Sequence, residues 1–226
     1  ATLTTDRCGI PNSAYSFNGS SDYIDIGNAL GTNPNQYSQS VWVRTTVSGN
    51  APGGWGWVVL SKRHANDGSD WGTIAISGTA GNASCWYDDA FPNNGGSVSS
   101  VTFTAPNIQN LTDGNWHHVV GVRSGPLFTT YVNGVRELES TLTVDRSNGS
   151  TANMHVGNHG AWNVFFNGDI DDVRIYNRAL NQQDVVQLFN LESCGGGGGG
   201  TPNPTSRPPG VVGWKNWQGW GNKPVK

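Results

Sequence analysis

Asp113-Gly-Asn-Trp-His-His-Val-Val-Gly-Val-Arg123 opens on turn residues and runs into a Val-rich stretch, and Tyr131-Val-Asn-Gly-Val-Arg136 follows shortly after it. In the second stretch Asn133-Gly134 is the dipeptide that a two-residue type I′ hairpin prefers, because both central positions need φ > 0. The pattern predicts strands at Trp116–Arg123, Phe128–Val132 and Val135–Leu142. A third stretch, Phe166-Asn-Gly-Asp-Ile-Asp-Asp-Val-Arg-Ile-Tyr-Asn-Arg-Ala-Leu180, holds a strand at Ile170–Tyr176 and leads into one short helix. Asn181 can cap that helix, Asp184 falls at N3 near the positive end of its dipole, and Val185, Leu188 and Phe189 make one apolar face.

The same texture extends outward from these stretches. Turn residues recur at intervals of about eight to twelve positions, and the runs between them predict strands at Ala14–Phe17, Tyr23–Ile26, Ser40–Thr46, Trp57–Arg63, Thr73–Ser77, Ala83–Tyr87, Ser100–Thr104 and Asn153–Gly157. Composition agrees: the 226 residues include 32 Gly and ten Trp, with only 13% charged side chains against a usual share of about 25%. An all-β chain follows. Its 35% apolar residues are enough for a sizeable core, which excludes disorder throughout.

Composition breaks at Cys194. Residues 1–194 read as one domain, 195–210 as a Gly- and Pro-rich linker, and 211–226 as a Trp-rich tail. The tail region holds Arg207, Lys215, Lys223 and Lys226 and no acid, so it carries +4 while the body carries −7 of the net −3. The basic residues never form a run, which argues against nucleic acid as a partner. No stretch approaches a membrane span, and the first residues lack signal-peptide character, so the chain reads as already processed. Of three Cys, Cys8 and Cys194 bracket the body while Cys85 stands alone, so we expect a Cys8–Cys194 bridge and a free, buried Cys85. A disulfide implies an extracellular, secreted location.

The three stretches quoted first, with Phe17-Asn-Gly-Ser-Ser-Asp-Tyr-Ile24 near the start, resemble the laminin G-like, concanavalin A-like jelly-roll family over residues 14–190. The resemblance implies a two-sheet antiparallel jelly-roll sandwich with its chain ends side by side, which suits the expected bridge. It also implies a calcium ion at the rim, held by Asn18, Ser20 and Asp22 with Asp171 contributing, since calcium takes several oxygen ligands. The alternative for that loop is an Asx-type turn without metal. The family spans glycan binding, adhesion and some catalysis, so fold does not settle function.

Catalysis finds little support. Glycosidases of this fold set two carboxylates across the sugar, and the chain has only Glu137, Glu139 and Glu192. Glu137 and Glu139 are expected to share a solvated strand face, and Asp169, Asp171 and Asp172 to bond backbone or Arg174. His117 and His118 point to opposite faces of their strand and read as structural. His155 and His159 can meet, but no further ligand nearby completes a zinc set.

The expected role is a non-catalytic module binding carbohydrate or a glycoprotein, with possible attachment to a cell surface. Aromatic rings flanked by Asp, Asn and His nominate Trp55, Trp57, Trp71, Trp86, Tyr87 and Trp162 as ligand contacts. The alternative is a structural subunit of an extracellular filament. In polyproline II, with three residues per turn, Trp214, Trp217 and Trp220 stack on one face, and that stripe needs a groove, on the body or on a neighbouring copy. A linker to a further domain, or a Trp-x-x-Trp mannosylation signal, remains open for the same residues. Asn18, Asn82, Asn110 and Asn148 each open an N-glycosylation sequon, and the Pro-Thr-Ser stretch suits O-linked sugars.

Overall fold

The structure is a computed structural model that describes residues 1–30, 35–49, 56–63, 70–77, 84–88, 100–102, 110–141, 152–160, 164–192 and 194. In chain order the strands are β1 (Thr2–Thr4), β2 (Ala14–Asn18), β3 (Ile24–Asp25), β4 (Gln36–Arg44), β5 (Trp57–Arg63), β6 (Asp70–Ser77), β7 (Ser84–Asp88) and β8 (Ser100–Thr102). They continue as β9 (His117–Ser124), β10 (Leu127–Val132), β11 (Val135–Thr141), β12 (Met154–Val156), β13 (Asn158–His159), β14 (Val164–Phe165) and β15 (Asn167–Tyr176), and the helix α1 (Gln182–Glu192) closes the order.

A seven-stranded sheet runs β1-β2-β15-β4-β9-β10-β11 and a six-stranded one β3-β12-β5-β6-β7-β8, with β13-β14 as a separate ribbon. The pairings are antiparallel, and the whole is a jelly-roll sandwich. Strand alternation sends every second side chain inward. From the larger sheet come Val41, Val43, Val119, Val132 and Ile170, and from the smaller Ile24, Leu60, Ile74, Ile76 and Val156. Phe17 and Phe166 meet edge to face at 6.5 Å within the same core. Each such side chain contributes about 1.5–3 kcal/mol on burial.

The larger sheet's outer face carries Val120, Val122, Tyr131 and Tyr176, and α1 covers them with Val185 and Leu188. Asn181 Oδ1 accepts the Asp184 N–H at 2.9 Å and Asp184 Oδ2 accepts the Asn181 N–H at 3.0 Å, a reciprocal cap at the predicted place. The β10–β11 turn has Asn133 at φ 49° and Gly134 at φ 80°, as the hairpin reading requires. Cys8 bonds Cys194 with Cα atoms 5.2 Å apart, tying the N-terminal segment to the end of α1.

Three strands lack a sequence signal. β1 is three residues at a sheet edge, and β13 and β14 are two residues each. β4 begins at Gln36 instead of Ser40, since Ser38, Gln39 and Ser40 are polar yet fully buried. β10 pairs Tyr131 with Arg136, Thr130 with Leu138 and Thr129 with Glu139, so Glu137 is the extra residue of a bulge.

Candidate functional site

The acidic group at 169–172 is structural: Asp171 Oδ1 accepts the Asp172 backbone N–H at 2.8 Å and Arg174 lies near Asp172, as expected, and two further arginines join them. Arg44 donates to Asp169 Oδ2 at 2.7 and 2.9 Å. Arg7, far off in sequence, pairs with Asp171 and reaches Asp172 Oδ2 at 2.5 Å, while Arg174 stands 3.8 Å from Asp172. The Arg7 guanidinium also lies 5.0 Å from the Trp42 ring centroid, and Phe189 stacks on Trp42 at 5.7 Å. Burial and the neighbouring Asp172 charge push Asp171 up to about 6, outweighing the attraction of Arg7.

His118 lies in the same cluster, its Nε2 2.7 Å from Ser40 Oγ and its ring 5.1 Å from Trp42. Burial, with Arg174 and Arg7 nearby, lowers its pKa to about 3, so it is neutral. His117 Nε2 is 2.9 Å from Asp113 Oδ1, and Asn133 Nδ2 is 3.1 Å from its Nδ1, which suits a proton on Nε2. Burial works to raise Asp113, but hydrogen bonds from His117 and Asn115 hold it down at about 2.

The calcium set does not assemble. Asn18 Oδ1 accepts the N–H groups of Ser20, Ser21 and Asp22 at 2.9–3.2 Å, which makes the loop an Asx-type turn. Asp22 accepts the Asn18 N–H through Oδ2 and meets the Ala1 ammonium through Oδ1 at 3.0 Å. Asp171 is opposite Trp42 on the outer face and is spent on Arg7. These residues do not fit a calcium ion, because their oxygens already face N–H donors and Asp171 points to another site.

Of the aromatic candidates, Trp57 is a packing residue: it lies half-buried between the main core and a small cluster of Val58, Ala75 and Val164, with its indole N–H buried. Trp71 stands opposite Lys62 in register, Trp86 opposite Ala75 and Thr102, and Tyr87 opposite Val101. The side chains of Trp71, Trp86, Tyr87 and Cys85 lie outside what is described, as do Trp55, Trp162, Asn82, Asn148 and the whole of 195–226 with Trp214, Trp217 and Trp220.

The structure also brings together a group that sequence reasoning missed. β3 pairs with β12 so that Asp25 opposes His155. Ile24 and Val156 point inward, so Tyr23, Asp25, Asn153 and His155 share the outer face of the smaller sheet. The Tyr23 and His155 rings lie 4.9 Å apart, and Asn153 Nδ2 donates to Asp25 Oδ2 at 2.9 Å. Burial lowers the His155 pKa while Asp25 works against it and His159 with it. The one signal in the sequence was alternation: Tyr23-Ile24-Asp25 and Asn153-Met154-His155-Val156 each carry every second side chain outward. That the two strands are neighbours was not visible.

Ser61, His155 and Asp25 form a register row across β5, β12 and β3. This is no nucleophilic triad. Ser61 is only 1% exposed, and Asp25 is engaged by Asn153 and by the Gly27 N–H at 2.8 Å.

A family model described as the concanavalin A-like lectin/glucanases superfamily, of laminin G type, matches residues 18–186, and the chain belongs to that family. Among solved structures it resembles the native heptameric SAP-like pentraxin from Limulus polyphemus, at 16% identity, TM-score 0.58 and 84% coverage of both chains. It is similar to domain 4 of AbnA, a GH43 extracellular arabinanase from Geobacillus stearothermophilus solved with arabinotriose, at 20% identity and TM-score 0.51, covering 82% of this chain and 92% of that one. Mouse laminin alpha1 domains LG4-5 match at 17% identity and TM-score 0.50 over 78% of this chain, which spans only 46% of theirs. No curated protein matches. At these identities the solved structures speak for the fold alone.

Proposed function

We propose that the chain is an extracellular, non-catalytic recognition module that binds carbohydrate or a glycosylated surface. The observation that carries this reading is how six of the described carboxylates are used. Asp113, Asp169, Asp171, Asp172 and Asp184 are each bound to a His or Arg. Glu139 pairs with Arg136 on the edge strand β11. A retaining or inverting glycosidase needs two carboxyl groups about 5–9.5 Å apart across a sugar, and these groups are committed to holding the sandwich together. Membership of a lectin and glucanase superfamily, and the likeness to an arabinanase domain solved with arabinotriose, favour binding over an unrelated role. The test is a panel of soluble and insoluble polysaccharides: binding without turnover is expected, and reproducible turnover abolished by one Asp or Glu substitution contradicts the reading. Glycans on the exposed Asn18 and Asn110 would accord with secretion, and native mass spectrometry checks for them.

A second reading rests on the tail. Three Trp at a spacing of three, on a +4 segment attached to a −7 body, support docking on another copy and growth into a filament, since such a head-to-tail contact need not close. Deleting 195–226 should leave a folded body that no longer self-associates. A truncated chain that still assembles, or a full chain monomeric at high concentration, argues against it.

A further inference from the structure

We propose that the strip Tyr23, Asp25, Asn153 and His155 on the outer face of the six-stranded sheet is the binding site, and that its ligand is a neutral sugar presenting adjacent hydroxyls. The proposal rests on the carbohydrate-binding reading and names its place and ligand class.

Three features build the site. The first is shape: directly opposed residues in an antiparallel pair have Cβ atoms about 4.5–5.5 Å apart, so Asp25 and His155 stand side by side, and Tyr23 lies against His155 at 4.9 Å. An aromatic ring next to planar polar groups matches a sugar, whose C–H face packs on the ring while its rim hydroxyls take directed hydrogen bonds.

The second is preorganisation. Asp25 is held by the Gly27 N–H at 2.8 Å and by Asn153 at 2.9 Å. An ionised carboxylate has about four acceptor sites, so Asp25 keeps acceptors for hydroxyls, and Asn153 keeps its carbonyl oxygen. The backbone beneath is pinned by Met154 N to Gly27 O at 2.8 Å and Ile26 N to Met154 O at 3.0 Å. Lys62, itself buried, clamps the following turn by donating to Asn28 Oδ1 and, at 2.9 Å, to the Ala29 carbonyl. Groups already fixed in place lose little entropy when a ligand arrives.

The third is charge. Among the described residues Arg7, Arg44, Arg174 and Arg178 belong to the other sheet or its helix cap, where they face Asp171, Asp172, Asp169 and Asp184. Lys62 spends its ammonium on the Asn28–Ala29 turn. The strip therefore offers an anion, Asp25, beside a half-buried imidazole. A sulfated sugar or a uronate brought there meets the like charge of Asp25.

Affinity electrophoresis of the full chain through gels containing linear arabinan, galactomannan or heparin tests this. Retardation by at least one neutral polymer and none by heparin is expected. Asp25→Asn, Tyr23→Ala and Asn153→Ala should each weaken the apparent affinity at least about tenfold, while Glu139→Ala on the far sheet matches wild type. Melting curves confirm that each variant is folded, and Asp25→Asn keeps the shape should Tyr23→Ala lose the fold. Folded strip variants that bind like wild type place the ligand elsewhere and overturn the site while the binding reading stands. Retardation by heparin alone overturns the neutral class, and no retardation by any polymer overturns the site and the reading together.

Discussion

The two outer faces of the sandwich are treated in opposite ways. On the seven-stranded sheet, α1 packs Val185 and Leu188 over Val120, Val122 and Tyr176, and the N-terminal segment brings Arg7 onto Trp42 and Asp171. The Cys8–Cys194 bond joins these two covers. On the six-stranded sheet the short β13–β14 ribbon is, among the described residues, what intrudes, setting Val164 on Val58 and Ala75, and the β3–β12 edge keeps Tyr23, Asp25, Asn153 and His155 at the surface. The N-terminal segment and α1 are thus both used to seal one face. Labour is divided between the faces: ionisable groups on the sealed face are matched to one another and hold the fold, while those on the open face retain capacity for a ligand.

The largest expected effect breaks the seal. Replacing Cys8 and Cys194 with Ser opens a cross-link spanning 186 residues, for which the chain-entropy model gives a loss of about 5 kcal/mol. Urea unfolding measures it, and the double variant should still bind sugar wherever it remains folded.

Acid titration sharpens the comparison. His118 has a folded-state pKa of about 3 against 6.5 unfolded, so its contribution is present above 6.5 and is lost as pH falls toward 3. The total is on the order of 4–5 kcal/mol. Asp171, raised from 3.8 to about 6, acts in the other direction: its contribution is complete below 3.8 and is lost as pH rises through 6, to the extent of about 3 kcal/mol. The two nearly offset each other from pH 7 to 5, and below about 4 His118 continues, joined by Asp113 and Asp184, whose carboxyls are held below their ordinary value. Stability should therefore be flat at first and then fall, and His118→Gln should make the acid limb shallower.

Arg7→Ala comes next. It leaves the Asp171 carboxyl buried without its cation and strips Trp42 of its cover, at a cost of about 3 kcal/mol that Asp171 reduces by taking up a proton. Tyr23→Ala on the open face should cost less than about 1 kcal/mol of stability while weakening binding. Smallest of all is the response to excess chelator: with the oxygens of Asn18 and Asp22 turned to N–H donors, the melting temperature should not move, and a clear drop would restore a rim calcium.

What the sequence revealed follows the range of the interaction. The β10–β11 hairpin and the Asn181–Asp184 cap are decided by residues a few positions apart, and both were legible. Ser38 and Ser40 were not, because a buried hydroxyl in a strand makes sense only once its partner is known: Ser38 Oγ donates to the Arg178 carbonyl and accepts the Leu180 N–H, and Ser40 meets His118. For Asp171 the local backbone partner was legible, the Asp172 N–H, whereas its cation Arg7, 164 residues away, was not. The open-face strip failed for the same reason. Its two halves are each a plain alternating strand, and the Asn153–Asp25 bond that unites them spans 128 residues. Aromatic content pointed instead to the tryptophans, of which Trp57 turned out to be packing.

In the proposed arrangement one face is sealed for stability and the other is left open for a neutral sugar. Hydrogen exchange of the full chain, with and without a neutral oligosaccharide chosen from the retarding polymers, measures it most directly. Added protection should concentrate in residues 22–27 and 152–156, with α1 and β1 unchanged. Protection that falls on α1 or the N-terminal segment, with the β3–β12 edge exchanging as in the free protein, would contradict it.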